Sequence, residues 1–184
     1  MNLLVFTATA YLAYALQGGL APLWTYRNTT PNLLLILLVF VGLNAPRHLA
    51  LVAALVLGLL MDLRPSPLAD GAVLLGPHAL GFLAAGYATL QLRNFLVRKS
   101  IITLVIMTLV AGAFAALVQV LLLSLRGLPM LANEPMAWSA TAQLMLRGQN
   151  LIYTTVAAIP IGLLLSFTRK IWGFTTRGRG EKIF

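Results

Sequence analysis

Long apolar runs separated by short polar breaks dominate the sequence. The first run extends from about Leu3 to Trp24, and Gln17 with two glycines is its main interruption. Later runs cover about 78–92, 100–125 and 150–167, the last with a proline inside it. A helix that crosses a membrane needs about 20 mostly apolar residues, so this pattern predicts transmembrane helices.

Residues 31–63 form another apolar stretch, with a single polar break at NAPRH. Two interpretations compete: two short crossing helices over Asn32–Ala45 and His48–Leu63, or a re-entrant hairpin with its tip at the break. The first helix would be only ~21 Å long against a ~30 Å hydrocarbon core. A re-entrant tip would place Arg47 at membrane depth, which is costly. We therefore favour two crossings, with local thinning of the bilayer.

The sequence thus predicts an all-α integral membrane protein, with six transmembrane helices in a compact bundle. Composition agrees, because 60% of the 184 residues are hydrophobic and only 9% are charged, whereas soluble domains carry about 25% charged residues. We expect one transmembrane domain over 1–168 and a basic cytoplasmic tail over 169–184. No basic residue precedes the first run, which favours a retained span over a cleaved signal. The chain has no cysteine, which excludes disulfides and thiolate sites.

Lysine and arginine divide unequally between the two sides of the predicted membrane. Nine fall on one side and four on the other. The larger group is Arg47, Arg93, Arg98, Lys99, Arg169, Lys170, Arg177, Arg179 and Lys182, and the smaller is Arg27, Arg64, Arg126 and Arg147. The positive-inside rule then predicts that both termini are cytoplasmic and that the smaller group faces outward.

Rows of small or polar residues at four-residue spacing mark each of the last four predicted spans. Such rows let membrane helices approach closely, within this chain or against a partner's helix. The rows are Ala50, Ala54 and Gly58; Gly81, Ala85 and Thr89; Ala111, Ala115 and Gln119; and Thr154, Ala158, Gly162 and Ser166. The candidate packing or partner-contact residues are Ala50, Ala54, Gly58, Asp62, Pro67, His78, Gly81 and Ala85.

Asp62 ends an apolar run in a chain with four acidic residues. It shares a helix face with Gly58, and our charge count puts it at the outer mouth of the third span. Three roles are open: a structural cap, contact with a partner, or transport. As a cap, it would bind Ser66 or amides of the proline-rich loop, or pair with Arg64, and we favour this role.

No residue pattern indicates catalysis. The two histidines fall on opposite sides of the membrane, and no carboxylates cluster at metal-ligand spacing. The segment DGAVLLG is similar to a motif of phosphatidyltransferases, but Asp70 lacks the companion aspartates that those enzymes need. We therefore expect no enzyme activity, no cofactor, no metal and no nucleic-acid partner.

Two further segments have candidate contacts. Residues 126–148 are predicted to be an outer loop, with a short interfacial helix after Asn133; its methionines and Trp138 would be a membrane anchor or an adaptable partner surface. The basic tail is either only a signal that sets the membrane topology, or a segment that binds anionic lipid headgroups or an acidic cytoplasmic partner. Its candidate contacts are Arg169, Lys170, Arg177 and Arg179.

Several segments together resemble the rod shape-determining protein MreD family. They are PNLLLILLVFVGL before the basic break, the helix ending in GLLMD, the Pro-Leu loop, GPHALGFLAAGY, and the final NLIYTTVAAIPIGLLL. Among these residues Asp62 is the sharpest point of likeness.

The resemblance implies a non-enzymatic subunit of the bacterial elongasome in the inner membrane. Its partners would be an MreC-like periplasmic membrane-anchored protein, an MreB-like filament and a glycosyltransferase–transpeptidase pair that builds peptidoglycan. The family is similar in fold to the substrate-binding subunits of energy-coupling-factor transporters. That likeness supplies an alternative function, a small-molecule-binding subunit of a vitamin-type transporter, which would need a pocket of convergent polar groups.

Overall fold

A computed structural model describes residues 1–19, 29–64, 75–96, 100–126 and 140–174, and within them the chain forms six α-helices. They are α1 (Leu3–Gly19), α2 (Leu33–Asn44), α3 (Arg47–Asp62), α4 (Pro77–Leu92), α5 (Ile101–Arg126) and α6 (Ala140–Thr168). The predicted all-helical class is confirmed. Two of these helices, α5 and α6, are long and apolar enough to cross a membrane, with mean hydropathies of 2.6 and 1.8. The count of six crossings stays a prediction.

The predicted boundaries of α2 to α5 are correct to within one residue at each end. The prediction for the last helix is wrong, because α6 begins at Ala140 and not near Asn150. Its first three turns carry Gln143, Arg147 and Gln149, and polar residues of this kind are also typical of a loop. The predicted interfacial helix after Asn133 lies outside the described residues.

Helix α2 is the axis of the bundle and contacts all five other helices. Eleven of its 12 residues are buried. Its sequence, LLLILLVFVGLN, is apolar on every side, which is the pattern of a helix surrounded by protein. At 1.5 Å per residue α2 is about 18 Å long. Neighbouring helices cover its ends. Because these ends contact protein and not lipid, α2 does not need to be as long as the hydrocarbon core is thick.

Side chains from other helices satisfy the buried ends of α2. At its start, Gln17 Oε1 accepts a hydrogen bond from the amide of Leu33 at 3.1 Å. At its end, Arg93 Nη1 donates to the carbonyls of Gly42 and Ala45 at 3.1 and 2.7 Å. A buried helix terminus without such partners would leave unpaired backbone groups.

Successive helices run in alternate directions, so the bundle has two distinct ends. At one end, Asp62 at the end of α3 meets the start of α4 beside a polar cavity, and we name it the cavity end. At the termini end, Arg93 meets the end of α2, and the amide of Asn2 donates to the carbonyl of Trp172 at 2.7 Å. The two termini of the described chain therefore lie at the same end. Which side of the membrane that end faces stays a prediction.

The rows of small residues lie between neighbouring helices. A Cβ added at Gly81 would meet Gln119 Cγ of α5 at 2.8 Å, and one at Gly162 would meet Leu104 of α5 at 2.9 Å. All row members are buried except Ser166, which is exposed. The Ser166 hydroxyl donates to the carbonyl of Gly162 within its own helix, so the backbone satisfies it there.

An aromatic cluster closes the termini end. Trp172 is 1% exposed, and its ring centroid lies 5.3 Å from that of Phe40 and 5.6 Å from that of Phe174. The basic tail therefore starts with a packed turn, which carries half-buried Arg169 and exposed Lys170. Arg177 and Arg179 lie outside the described residues.

Candidate functional site

Asp62 is a buried carboxylate whose two oxygens are both engaged by the start of α4. The Asp62 side chain is fully buried, and the residue as a whole is 2% exposed. Oδ2 accepts from the amides of Gly76 and Ala79 at 2.8 and 3.0 Å. Oδ1 accepts from the amide of His78 and lies near its Nδ1, both at 2.9 Å. Asp62 therefore caps α4 from another helix and places negative charge at its N-terminus.

Local backbone geometry brings this carboxylate to its partners. Gly76 has φ +117°, a conformation that L side chains rarely adopt, and Pro77 follows at the first turn of α4. One turn before Asp62, a Cβ added at Gly58 would lie 2.6 Å from Ala79 Cα. The two backbones can meet here only because position 58 has no side chain.

Of the cap partners proposed from the sequence, Arg64 points elsewhere, with its guanidinium carbon 5.4 Å from the centre of the Tyr14 ring. Ser66, Pro67 and Asp70 lie outside the described residues. The backbone amides that bind Asp62 come from the start of α4.

The other candidate residues of this region are buried inside the chain. Ala50 is 3% exposed, and Ala54 and Ala85 are 0% exposed. A Cβ added at Gly86 of α4 would lie 2.8 Å from the Ala54 Cβ, so this face of α3 packs on α4. His78 is half-buried. Contact between these residues and a partner stays a prediction.

Beside His78 the structure has a polar cavity of about 130 Å³, which the sequence analysis missed. All six described helices and the segment before α2 contribute to its lining. The polar lining residues are Gln17, Thr30, Asn32, His78, Gln119, Arg147, Asn150 and Thr154. One feature of the sequence could have indicated it. Gln17 and Gln119 lie near the ends of α1 and α5, and Arg147 lies near the start of α6, so alternating helices bring all three to the same end of the bundle. Sequence reasoning assigned them to a span, a packing row and a loop.

Arg147 is the charged residue that lines this cavity. Its Nη1 donates to Gln119 Oε1 on α5, and its Nε has no hydrogen-bond partner among the described residues. A guanidinium carries five N–H donors in a planar fork. The cavity therefore contains a half-buried cation with donor capacity beyond its neutral amide partner.

Hydrogen bonds between α6 and the segment before α2 form one wall of the cavity. Asn150 Oδ1 accepts from the amide of Thr30 at 3.1 Å. Thr154 Oγ1 accepts from the amide of Asn32 at 2.9 Å and donates to the carbonyl of Asn150 at 2.7 Å. These bonds fix the wall before any ligand binds.

Titratable side chains do not gather into a metal site in the described part of the chain, where no three His, Cys, Asp or Glu residues cluster. The region can instead hold helices in register and offer hydrogen-bond donors to a bound group.

Comparison with known proteins identifies the family. The family model of the rod shape-determining protein MreD matches residues 1–165 of the 184. The chain belongs to the MreD family. The match includes Asp62, the start of α4 and every cavity residue named above. Searches of the curated proteins and of the solved structures found no match.

Membership of the MreD family confirms the resemblance noted in the sequence and extends it to α1 and α5. MreD proteins belong to the bacterial inner membrane and to the MreBCD shape complex, so the chain has a role in rod shape determination. The likeness to transporter substrate-binding subunits stays a prediction.

Proposed function

We propose that the chain is a non-enzymatic membrane scaffold of the cell-wall elongation machinery. It spans the inner membrane six times with both termini in the cytoplasm, binds an MreC-like partner and helps to organise peptidoglycan synthesis. An MreB-like filament and a glycosyltransferase–transpeptidase pair act in the same assembly. Family membership supports the process, and the use of Asp62 supports the scaffold role.

The observation that carries the scaffold role is the hydrogen bonding of Asp62. Three backbone amides and an imidazole nitrogen surround its two oxygens. A general acid or base needs a face open to substrate, and this carboxylate has its binding positions filled by protein. It serves instead to hold α3 and α4 together at the cavity end. A rigid end of this kind is what a scaffold offers to a partner.

Co-purification from membranes tests this proposal. The tagged chain is expressed with its MreC-like partner as wild type, Asp62→Ala and Gly58→Leu, and the partner retained per chain is measured. Both substitutions separate α4 from α3, so we expect less partner to be retained. Val56→Leu is the matched control, because Val56 is 39% exposed on the same helix.

The wild-type result decides the scaffold proposal. The proposal is supported if wild type and the Val56→Leu control retain the partner and the Asp62→Ala and Gly58→Leu variants lose it. Absence of the partner from the wild-type preparation contradicts it. Circular dichroism of each variant shows whether a loss reflects local separation of α3 and α4 or general unfolding.

The polar cavity favours one second candidate, a small-molecule-binding transport subunit. Its convergent polar residues are the feature that such a subunit requires. However, about 130 Å³ is small beside the roughly 300–1,000 Å³ of sites that enclose drug-sized ligands. Native mass spectrometry of the purified protein tests this candidate, and a tightly bound vitamin-sized molecule would favour it over the scaffold.

A further inference from the structure

Amide side chains at the cavity all have their oxygen atoms engaged by protein donors. Gln17 Oε1 accepts from the amide of Leu33 at 3.1 Å, and Asn32 Oδ1 accepts from the amide of Leu35 at 3.0 Å. A backbone N–H can pair only with the oxygen of such a side chain, so these partners fix which way each amide group points.

The same holds on the opposite wall. Asn150 Oδ1 accepts from the amide of Thr30 at 3.1 Å, and Gln119 Oε1 accepts from the guanidinium of Arg147. A guanidinium has no acceptor, which fixes the orientation of the Gln119 amide as well.

What these side chains can offer to a ligand is therefore mostly donors. With the oxygens engaged, the NH₂ groups of Asn32, Gln119 and Asn150 face a ligand as donors, while that of Gln17 already donates to the Met61 sulfur at 3.6 Å. Arg147 has an Nε without a partner among the described residues. Both oxygens of the nearby Asp62 are occupied by α4. No carboxylate belongs to the cavity lining in the described ranges. A site rich in donors and carrying one positive charge is complementary to an oxyanion.

The size and depth of the cavity restrict that oxyanion. About 130 Å³ is roughly the share of four water molecules in the liquid, which suits one tetrahedral anionic group. Helix α5 has 26 residues, or about 39 Å, and extends beyond a ~30 Å hydrocarbon core. Gln119 lies seven residues before its end and Arg147 seven residues after the start of α6. The cavity is therefore within reach of the headgroup layer.

We propose that this cavity binds a single phosphate group, with Arg147 as its principal ligand and the amide NH₂ groups around it. A phospholipid headgroup and free inorganic phosphate present the same chemistry, and the experiment separates them. The proposal concerns the chain alone and does not require the partner of the scaffold function.

Thermal unfolding of the purified chain tests the proposal. The protein is prepared in a phosphate-free buffer and a non-ionic detergent, then titrated with inorganic phosphate, with phosphatidylglycerol, or with monoolein as a lipid without phosphate. We expect a saturable rise in the unfolding midpoint with a phosphate source and none with monoolein. A response to inorganic phosphate indicates a free-anion site, and a response to phosphatidylglycerol alone indicates a lipid site.

Three variants locate the binding. Arg147→Gln removes a charged hydrogen-bond donor and should weaken the apparent Kd at least about tenfold. Gln119→Glu places a carboxylate beside Arg147, so it should abolish the response in a protein that still folds. Arg47→Gln makes the same change in net charge as Arg147→Gln at an exposed position of the termini end and should respond like wild type.

Two results would overturn the proposal. The first is no response in wild type, or an equal response in wild type and both cavity variants. The second is an unchanged phosphate response in Arg147→Gln, since Arg147 would then not be the principal ligand. If that variant also loses the MreC-like partner, the occupant is an acidic group of that partner. The folded Gln119→Glu variant keeps the test decisive if Arg147→Gln fails to fold.

Discussion

Removal of the Asp62 carboxylate should separate the start of α4 from α3. Asp62→Ala leaves three backbone amides without their acceptor. The Ala79 amide is buried, and an unsatisfied buried donor costs about 1–3 kcal/mol. The amides of Gly76 and His78 are partly buried and regain some hydrogen bonding with water. The expected loss in the free energy of unfolding is therefore roughly 3–4 kcal/mol.

The amide variant separates charge from shape. Asp62→Asn keeps one acceptor oxygen but loses the negative charge at the N-terminus of α4, and its NH₂ group meets backbone donors. We expect it to lose at least about half as much stability as Asp62→Ala, since hydrogen bonds to charged groups are worth about 1.5–3 kcal/mol. A loss near zero would mean that the charge has no part in the cap.

Equilibrium unfolding by SDS in mixed micelles, followed by circular dichroism, measures these differences. The control is Gln91→Ala, which removes an exposed 2.7 Å hydrogen bond to Tyr87 and should change stability by less than about 0.5 kcal/mol. Hydrogen exchange should also accelerate at the amides of Gly76, His78 and Ala79 while α6 is unchanged. If Asp62→Ala unfolds like the control, the assignment of Asp62 as the cap is refuted.

Three other predictions concern packing, capping and topology. Gly58→Ala should destabilise by about 1–3 kcal/mol, because its Cβ would overlap the backbone of α4, whereas Gly148→Ala, with open space at that position, should leave stability equal or higher in the same assay. Arg93→Lys should lower the unfolding midpoint, because the lysine side chain is one bond shorter and its ammonium falls short of the two carbonyls of α2 that Arg93 Nη1 bonds; an unchanged midpoint would contradict the capping role. Leu75→Cys, at the cavity end, should react with a membrane-impermeant maleimide in intact cells, while Phe95→Cys, at the termini end, should react only after permeabilisation; the reverse pattern would invert the predicted topology.

Much of the helical architecture could be predicted because apolar runs and their breaks are local features. The helix over 33–44 has apolar residues on every side, and its end coincides with the polar break before Arg47. Rows of small residues such as Ala54 and Gly58 also indicate close packing without identifying the neighbour. The sequence could not show that this face meets α4 within the same chain.

The cavity could not be predicted, because its polar residues come from segments far apart in the sequence. Gln119 and Arg147 are 28 positions apart and meet only when α5 and α6 pack. An arginine inside a helix that faces a polar cavity gives the same local signal as an arginine in a loop, and the start of α6 was misplaced for that reason. In the sequence, Arg93 is typical of a basic linker after α4, whereas in the structure its guanidinium binds carbonyls at the end of α2.

The contact between Asn2 and Trp172 has a consequence for biogenesis. Asn2 binds Trp172, and among the described helices α1 touches only α2 and α3. Helix α1 thus gains its last contacts from a residue that is synthesised 170 positions after Asn2, a delay of roughly 10–30 s at ordinary rates of translation. Until then, one edge of α2 lacks its final cover at Phe40. The described fold is therefore complete only after Trp172 has been synthesised, and a chain that stops short of Trp172 leaves Phe40 of the central helix without this cover.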